Sequence, residues 1–181
     1  MRKKIFYLAG FMASGKSTIG PILANTIGWN FYDLDKEVEN REGKKIVTIF
    51  EDSGENYFRK IESEILHNLS TQTNLIVALG GGTLMIPQNR EVIRKTGRLI
   101  FLRSSPEILY KRLVHKRNRP VLLTGISEED KERILFQKIE SLMSERIEYY
   151  EQAEFVFDTD KVSIGEVVDK IAQVITRVVK L

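Results

Sequence analysis

Residues 5–18 read IFYLAGFMASGKST, in which a short apolar run leads directly into a glycine-rich turn and a lysine. The apolar run, taken from Lys4 to Ala9, predicts a buried strand. After the turn, apolar residues recur at the spacing of one helical face: Ile19, Ile22, Leu23 and Ile27. Glycines let backbone N–H groups face into such a turn, and the helix adds the positive end of its dipole. The stretch therefore predicts a strand, an anion-binding loop and a helix.

The turn fits the G-x4-G-K-[ST] pattern of a nucleotide phosphate loop at every fixed position, through Gly10, Gly15, Lys16 and Ser17. Lys16 is long enough to reach the outer phosphates, and the Ser17 hydroxyl can ligate Mg²⁺. The alternative is an ordinary glycine turn beside a lysine. Because the pattern lies between a predicted strand and a predicted helix, we favour the phosphate site and expect ATP and Mg²⁺ as cofactors.

Composition narrows the class of protein. With 181 residues, 42% hydrophobic and 29% charged, residues 1–181 are expected to form a single globular domain. No apolar stretch approaches the roughly 20 residues of a membrane span, and the apolar run near the N-terminus is too short for a signal peptide, so we expect a cytoplasmic protein without membrane partners. The absence of cysteine excludes disulfides and thiolate metal sites. The net charge of +3 does not indicate a nucleic-acid partner.

Short apolar runs alternate with helix-period segments along the chain. The strand-like runs are Lys4–Ala9, Asn30–Leu34, Leu75–Leu79, Leu99–Leu102 and Phe155–Phe157. This alternation is typical of βαβ units, so we predict an α/β protein with three layers (α/β/α), a five-stranded parallel sheet and helices on both faces. The last helix is expected to begin at Ser163, which with Glu166 has the spacing of a capping box.

Two carboxylates follow the second predicted strand. In an extended segment, residues two apart share a face, so Asp33 and Asp35 can both point into one cleft at the end of the strand. One carboxylate near Mg²⁺ and one near an acceptor hydroxyl would suit phosphoryl transfer. The alternative is a loop that exposes two acids or caps the next helix. Beside a phosphate loop, we favour the functional interpretation.

Two arginines are candidates for binding an anionic substrate. Arg59 precedes Glu62 by three residues, and Glu62 can orient its guanidinium, although an exposed ion pair is the simpler interpretation. Arg146 continues the inward apolar stripe of its predicted helix at i+4 from Leu142, where it needs an anionic partner. That partner is either structural, such as Glu62, or the carboxylate of a ligand.

Two further segments have a composition that suits ligand binding. Gly80-Gly81-Gly82 follows a predicted strand and allows close approach to a ligand, unless it is only a flexible turn. No aspartate closes that strand, which strengthens the case for Asp33 near Mg²⁺. The basic segment at about 111–126 is expected to form a lid over ATP, with a solvated charged face or RNA binding as the alternatives.

Taken together, these residues resemble the shikimate kinases, and the resemblance covers roughly Ile5 to Thr159. The segments that carry it are GFMASGKST at 10–18, DLD at 33–35, FRKIE at 58–62, GGG at 80–82, RPVLL at 119–123 and RIEYYEQA at 146–153. The resemblance implies a P-loop kinase fold with a mobile lid. It also implies that ATP phosphorylates the 3-hydroxyl of shikimate, in aromatic amino acid biosynthesis.

The same resemblance implies a role for each matching residue. Lys16, Asp35 and Arg119 would be catalytic, with Asp35 on the acceptor hydroxyls and Arg119 on the transferring phosphate. Ser17 and, through water, Asp33 would hold Mg²⁺. ATP would contact Gly10, Ala13, Ser14, Gly15, Lys16, Ser17, Thr18, Arg112 and Arg119. Shikimate would contact Asp35, Arg59, Gly80, Gly81, Gly82, Arg146, Phe50 and Phe58, with its main binding segment at about 33–62.

The sequence departs from the family pattern in two places. Ala13 occupies a position that is usually glycine, and it would strain the loop if that position requires a positive φ. The segment after the last strand lacks an expected proline beside adenine. The rival functions are a kinase of another small hydroxy acid, such as gluconate, and a regulatory nucleotide-binding module without catalysis. A monomer is the default, because no apolar stripe is left obviously unburied.

Overall fold

The computed structural model describes residues 4–114 and 131–180. Its elements, in chain order, are β1 (Ile5–Ala9), α1 (Lys16–Ile27), β2 (Asn30–Asp33), α2 (Leu34–Glu42), α3 (Ile46–Ser70), β3 (Leu75–Ala78), a 3₁₀ turn (Thr83–Met85), α4 (Pro87–Thr96), β4 (Arg98–Arg103), α5 (Pro106–Val114), α6 (Lys131–Tyr150), β5 (Phe155–Asp158) and α7 (Ile164–Lys180).

The strands of the described residues form one parallel sheet in the order β2-β3-β1-β4-β5. This confirms the predicted five-stranded parallel sheet. The strand bounds agree with the sequence pattern to within a residue at each end, and β2 ends one residue earlier than predicted because Leu34 begins α2. Since the strands are parallel, the loops after β1, β2 and β3 all leave the same edge of the sheet.

Helices cover both faces of this sheet, which confirms the three-layer architecture. The side chains of β1 alternate between the faces: Ile5 and Tyr7 belong to one buried cluster, with residues of α2, α3 and α4, and Phe6 and Leu8 to another, with residues of α1 and α7. Every residue of β1 is buried. Burial of one such leucine or phenylalanine side chain stabilises the fold by about 2 kcal/mol.

A third apolar cluster connects the phosphate loop to the helices beside it. Phe11 of that loop packs with Leu109 and Leu113 of α5 and with Leu135 and Ile139 of α6. The loop is therefore attached to the rest of the protein by its side chains as well as by its two flanking elements.

Local signals in the sequence explain how two of the helices are built. The predicted capping box at the start of α7 is confirmed, since Ser163 N donates to Glu166 Oε2 at 3.0 Å and Glu166 N donates to Ser163 Oγ at 3.3 Å. Gly54 interrupts α3 with a φ of 78°. The two sides of this break contribute Phe50 and Phe58, whose ring centroids lie 4.9 Å apart.

Candidate active site

The phosphate loop between β1 and α1 has an unusual backbone. Gly10, Ala13 and Gly15 all have positive φ angles, of 147°, 63° and 109°. A Cβ on Gly10 would lie 2.6 Å from Ser14 Oγ and 2.7 Å from the carbonyl oxygen of Leu102, so only glycine fits there. Ala13 takes the left-handed conformation without this freedom, and the loop therefore holds local strain.

Side chains in the same loop stabilise its shape. Lys16 Nζ donates to the carbonyl oxygens of Gly10 at 2.7 Å and Phe11 at 3.1 Å. The Ser14 hydroxyl is buried, with 1% of the residue exposed, and it has no hydrogen-bond partner among the residues that the structure describes. A buried hydroxyl beside the N-terminus of a helix fits a phosphate oxygen, which would supply the missing partner.

The Mg²⁺ candidates lie together at the start of α1 and the end of β2. Ser17 Oγ donates to Asp33 Oδ2 at 2.6 Å. Asp33 also caps α2, because its Oδ1 accepts from Asp35 N at 3.2 Å, so the capping alternative is confirmed. In residues 4–114 and 131–180 there is no group of three or more His, Cys, Asp or Glu side chains that could hold a metal. A hydroxyl and one carboxylate nevertheless fit Mg²⁺, which commonly takes its other ligands from phosphates and water.

Asp35 lies in the first turn of α2 and not in the extended segment assumed from the sequence. It nevertheless lines the same cavity as Asp33, because β2 passes into α2 directly. Burial is the largest cause that raises the pKa of Asp35 from 3.8 to about 6. The neighbouring carboxylates of Asp33 and Glu62 add to the increase, whereas two nearby cations oppose it.

Arg59 is held between two carboxylates of its own helix. Its Nη1 donates to Glu62 Oε2 at 2.9 Å, and its Nε and Nη2 both donate to Glu55 Oε1 at 3.1 Å. The Glu62 side chain is completely buried, whereas that of Glu55 is 61% exposed. The predicted pairing of Arg59 with Glu62 is thus confirmed, and its buried half is more than a surface ion pair. The guanidinium also lies 5.1 Å from the ring centroid of Phe58.

The glycine triplet after β3 leaves room for charged side chains of the site. A Cβ on Gly80 would collide with Glu62 Oε1, and one on Gly82 would collide with Arg59 Nη2. A Cβ on Gly81 would lie 3.0 Å from Arg146 Nη1. None of the three has a positive φ, so the reason for glycine is close approach and not backbone freedom. Residues 80–82, here called the glycine loop, therefore let charged side chains of the site come close to the backbone.

Arg146 approaches this loop from one turn before the end of α6. Its guanidinium carbon lies 5.8 Å from the ring centroid of Phe11. One turn later, Tyr150 donates from its hydroxyl to the carbonyl oxygen of Gly81 at 3.0 Å. Burial raises the pKa of Tyr150, and the charge of Arg146 and its hydrogen bond to the hydroxyl oppose that increase. Arg146, Tyr150 and the glycine loop thus form one connected group.

On the other side of the phosphate loop, Arg112 joins three loops at the edge of the sheet. Its Nη2 donates to the carbonyl oxygen of Thr159 at 2.6 Å, and its Nη1 donates to that of Ala13 at 3.2 Å. The same Nη1 reaches Ser104 Oγ at 3.5 Å. Apolar residues at the end of β5 and in α7 complete this side of the site: Val162, Ile164 and Val167.

One cavity of about 490 Å³ connects these parts. It extends from the apolar wall and Arg112, past the phosphate loop, to Asp33, Asp35 and Gly81. Its size fits a small-molecule ligand, and its polar groups gather at the phosphate loop and the two aspartates.

Known proteins match this chain over almost its full length. The family model described as shikimate kinase matches residues 12–176. A shikimate kinase of Chlorobaculum parvum is 41% identical over 173 residues, covering 96% of this chain and 92% of the relative. The chain belongs to the shikimate kinase family. It is accordingly an ATP-dependent phosphotransferase, and the resemblance stated from the sequence is confirmed.

Solved structures agree with this family assignment. A shikimate kinase from Acinetobacter baumannii, in complex with shikimate, superposes with a TM-score of 0.85 at 32% identity, covering 97% of this chain and 94% of that one. A gluconokinase from Sinorhizobium meliloti has a TM-score of 0.58 at 18% identity, covering 98% and 95% of the two chains. The latter likeness concerns the fold alone. The shikimate kinase family is thus favoured over the gluconate alternative.

Most of the site residues named from the sequence lie around this cavity or the glycine loop. Phe58 of α3 belongs to a buried core cluster, and the partly buried Phe50 of the same helix packs against it. Arg119, the RPVLL segment and most of the expected lid lie outside the described residues. Among the helices of residues 4–114 and 131–180, none combines the length and the apolar character needed to cross a bilayer.

Sequence reasoning missed several residues of this site, including two beside the glycine loop. Thr83 directly follows the glycine triplet, and its hydroxyl donates to Glu62 Oε1 at 2.6 Å. Tyr150 lies four residues after Arg146, on the same helical face, and this spacing could have identified it. No comparable local signal marks Thr83, since its partner is distant in the sequence.

Proposed function

We propose that this shikimate kinase family member transfers the terminal phosphoryl group of ATP to the 3-hydroxyl of shikimate. The observation that carries the proposal is the convergence of Asp35, Arg59 and Arg146 on the glycine loop, beside a phosphate loop that opens into the same cavity. Shikimate has a ring with hydroxyls and one carboxylate. A carboxylate group beside two arginines, and a hydroxyl beside an aspartate, would satisfy both sets of side chains.

ATP would be bound by the phosphate loop. The inward N–H groups of residues 10–18, the Ser14 hydroxyl and the charge of Lys16 would hold the phosphates, and Thr18 would lie at the same helix end. Arg112 and the apolar wall of Val162 and Ile164 would contact the adenosine part. Mg²⁺ on Ser17, and through water on Asp33, would neutralise developing negative charge on the phosphates.

The acceptor would be held by groups of α2, α3, α6 and the glycine loop. Arg59 and Arg146 would bind the carboxylate, because planar guanidinium groups match its two oxygens. Gly80, Gly81 and Gly82 would form the floor of the pocket, with Phe50 and Phe58 behind Arg59. Asp35 would accept a hydrogen bond from the 3-hydroxyl.

In the reaction, the oxygen of the 3-hydroxyl attacks the terminal phosphorus of ATP. The bond from that phosphorus to the bridging oxygen breaks, ADP leaves, and the hydroxyl proton passes to Asp35. Lys16, and Arg119 from the lid, would stabilise charge on the transferring group. Catalysis would rest mainly on positioning and charge neutralisation, as is general for phosphoryl transfer. We further propose that residues 1–181 form a single kinase domain and that the enzyme is a monomer.

The test is ATP consumption by the purified protein with Mg²⁺, in the presence of shikimate, of gluconate or of neither acid. We expect turnover only with shikimate, and a phosphorylated product carrying the group at the 3-position. Turnover with gluconate and not with shikimate would show that the acceptor is another hydroxy acid. Nucleotide binding without turnover on either acid would favour the regulatory module.

Two variants assign the roles within the site. Arg146→Ala is expected to raise KM for shikimate at least tenfold, since an anion bound by a charged hydrogen bond loses its partner, and to leave KM for ATP within twofold. If Arg146→Ala unfolds the protein, or changes both KM values equally, the carboxylate role is wrong.

Asp35→Asn is expected to abolish most of kcat while nucleotide binding is retained.

A further inference from the structure

The buried carboxylate of Glu62 is the starting point, because a fully buried charge requires several partners. No part of the Glu62 side chain is exposed. Oε2 accepts from Arg59 Nη1 at 2.9 Å, and Oε1 accepts from Thr83 Oγ1 at 2.6 Å. The hydroxyl of Thr83 thus bonds the carboxylate oxygen that does not bind Arg59.

Thr83 is itself held rigidly. The residue has no exposed surface, its N–H donates to the carbonyl oxygen of Gly80 at 3.2 Å, and its own carbonyl oxygen accepts from Asn89 Nδ2 at 3.2 Å. Asn89 is also buried, with 2% of its surface exposed. The Thr83 hydroxyl is therefore a donor in a fixed position, because the N–H of this residue is bonded to the glycine loop and its carbonyl oxygen is bonded to α4.

Arg59 binds two carboxylates through different nitrogen atoms of its guanidinium. Glu55 is 61% exposed and binds Nε and Nη2, whereas the buried Glu62 binds Nη1. An exposed ion pair contributes little to holding a guanidinium in place, because water screens it and its side chains are costly to order. The direction of Arg59 towards the glycine loop therefore depends on Glu62, and the position of Glu62 depends on Thr83.

We propose that Thr83 is a positioning residue for the acceptor: its hydroxyl holds Glu62 in place, and Glu62 thereby keeps Arg59 directed towards the glycine loop. This inference rests on the proposed function, in which Arg59 binds the carboxylate of shikimate. Thr83 touches neither substrate. Its contribution is the geometry of the Arg59 guanidinium, which decides whether a planar carboxylate can be bound.

The experiment compares Thr83→Val, which keeps the shape and removes the hydroxyl, with Thr83→Ser, which keeps the hydroxyl. We expect Thr83→Val to raise KM for shikimate about tenfold, the size of one lost hydrogen bond to a charged group. KM for ATP should stay within twofold of the wild type, and kcat should change less than KM for shikimate. Thr83→Ser should restore KM for shikimate to within about twofold.

Thr96→Val is the matched control. Thr96 lies in α4, and its hydroxyl bonds Val92 O at 2.7 Å and the Tyr7 hydroxyl at 2.8 Å, away from the cavity. It should reduce thermal stability without changing either KM. The inference is overturned if Thr83→Val leaves KM for shikimate unchanged, if Thr96→Val raises it equally, or if Thr83→Ser is as impaired as Thr83→Val.

A crystal structure of Thr83→Val separates this inference from the proposed function. We expect Arg59 to lose its contact with Glu62 and to turn towards Glu55. If Arg59 stays in place, the inference is wrong even when the wild type phosphorylates shikimate. If Arg59 moves but the wild type has no activity on shikimate, the positioning role stands and the proposed acceptor is wrong.

Discussion

Ala13 adopts a backbone conformation that L-residues disfavour, with a φ of 63° in the middle of the phosphate loop. The left-handed conformation costs a residue with a Cβ about 1 kcal/mol relative to glycine. Contacts of neighbouring residues hold it there: the Ala13 carbonyl accepts from Arg112, and Phe11 is packed against α5 and α6. The phosphate loop therefore keeps its shape at the expense of some stability.

Ala13→Gly is expected to raise the free energy of unfolding by up to about 0.5 kcal/mol, because about 1 kcal/mol of strain is removed and part of this gain is lost to a more flexible unfolded chain. Urea denaturation measures it. KM for ATP should stay within twofold, since the loop already has the required φ. The control is Ala172→Gly inside α7, which should reduce stability by about 1 kcal/mol. A loss of stability in Ala13→Gly would mean that the strain is absent.

The charge of Asp35 is costly in the free protein, since burial above all raises its pKa from 3.8 to about 6. The folded protein therefore binds the proton more tightly than the unfolded chain. The contribution of Asp35 to stability is full below about pH 4 and is lost as the pH rises through about 6. At neutral pH the ionised Asp35 destabilises the protein in the absence of ligands.

Asp35→Asn is accordingly expected to be more stable than the wild type without Mg²⁺, and its advantage should grow by about 1 kcal/mol between pH 5 and pH 7. Urea denaturation at the two pH values is the measurement. Asp158→Asn is the control, because Asp158 is exposed, its pKa is lowered by its hydrogen bond to Arg103, and its loss should not stabilise the protein. An advantage that does not change with pH would contradict the raised pKa.

At the scale of elements, the end of α6 forms a hydrogen bond to the glycine loop after β3. Tyr150 is 3% exposed, its ring stacks on Phe101 with centroids 5.2 Å apart, and its hydroxyl donates to Gly81 O. Arg146 hydrogen-bonds the same hydroxyl. The helix therefore brings an arginine to the glycine loop and holds that loop in place through Tyr150. This contact joins two elements that are separated by most of the second half of the chain.

Tyr150→Phe is expected to raise KM for shikimate about three- to tenfold, since Gly81 O loses its donor and Arg146 loses a partner. KM for ATP should not change. Tyr7→Phe is the matched control, because this buried tyrosine on β1 bonds Thr96 Oγ1 at 2.8 Å instead. Both variants should lose about 1 kcal/mol of stability in urea denaturation. Equal KM values in the two variants would show that the Tyr150 hydroxyl has only a structural role.

At the scale of the whole molecule, the parallel sheet collects the functional loops at one edge. The order β2-β3-β1 places the ends of three neighbouring strands, at Asp33, Ala78 and Ala9, side by side. The turns before β2, β3 and β4 lie at the opposite edge. Ligand binding should therefore affect one edge of the protein and leave the other unchanged.

Hydrogen exchange tests this expectation with Mg²⁺ and a non-hydrolysable ATP analogue. Amides of residues 10–18 should exchange at least about tenfold more slowly with the ligand, because they donate to phosphates. Amides of the turns at 28–29 and 71–74 should exchange at the same rate with and without it. The control omits Mg²⁺ and should show weaker protection. Equal slowing at both edges would indicate global stabilisation and not binding at one edge.

The phosphate loop and the α/β class could be predicted from neighbours along the chain, because glycine spacing and hydrophobic periodicity act over a few residues. The pairing of Arg59 with Glu62 followed for the same reason, as both lie on one turn of helix. Asp35 was identified for a wrong reason, since it lies in a helical turn and not in a strand. It still faces the cavity because β2 passes directly into α2.

Tertiary packing decided the strand order, the left-handed φ of Ala13, and the contacts of Thr83 and Tyr150. Thr83 lies 21 residues from Glu62, and Tyr150 lies 69 residues from Gly81. No local pattern specifies such pairs, because they form only when the parallel sheet brings separate loops to one edge and burial forces each polar group to find a partner. The residue types of the site could therefore be predicted from the sequence, whereas the relative positions of their side chains are decided only in the folded chain.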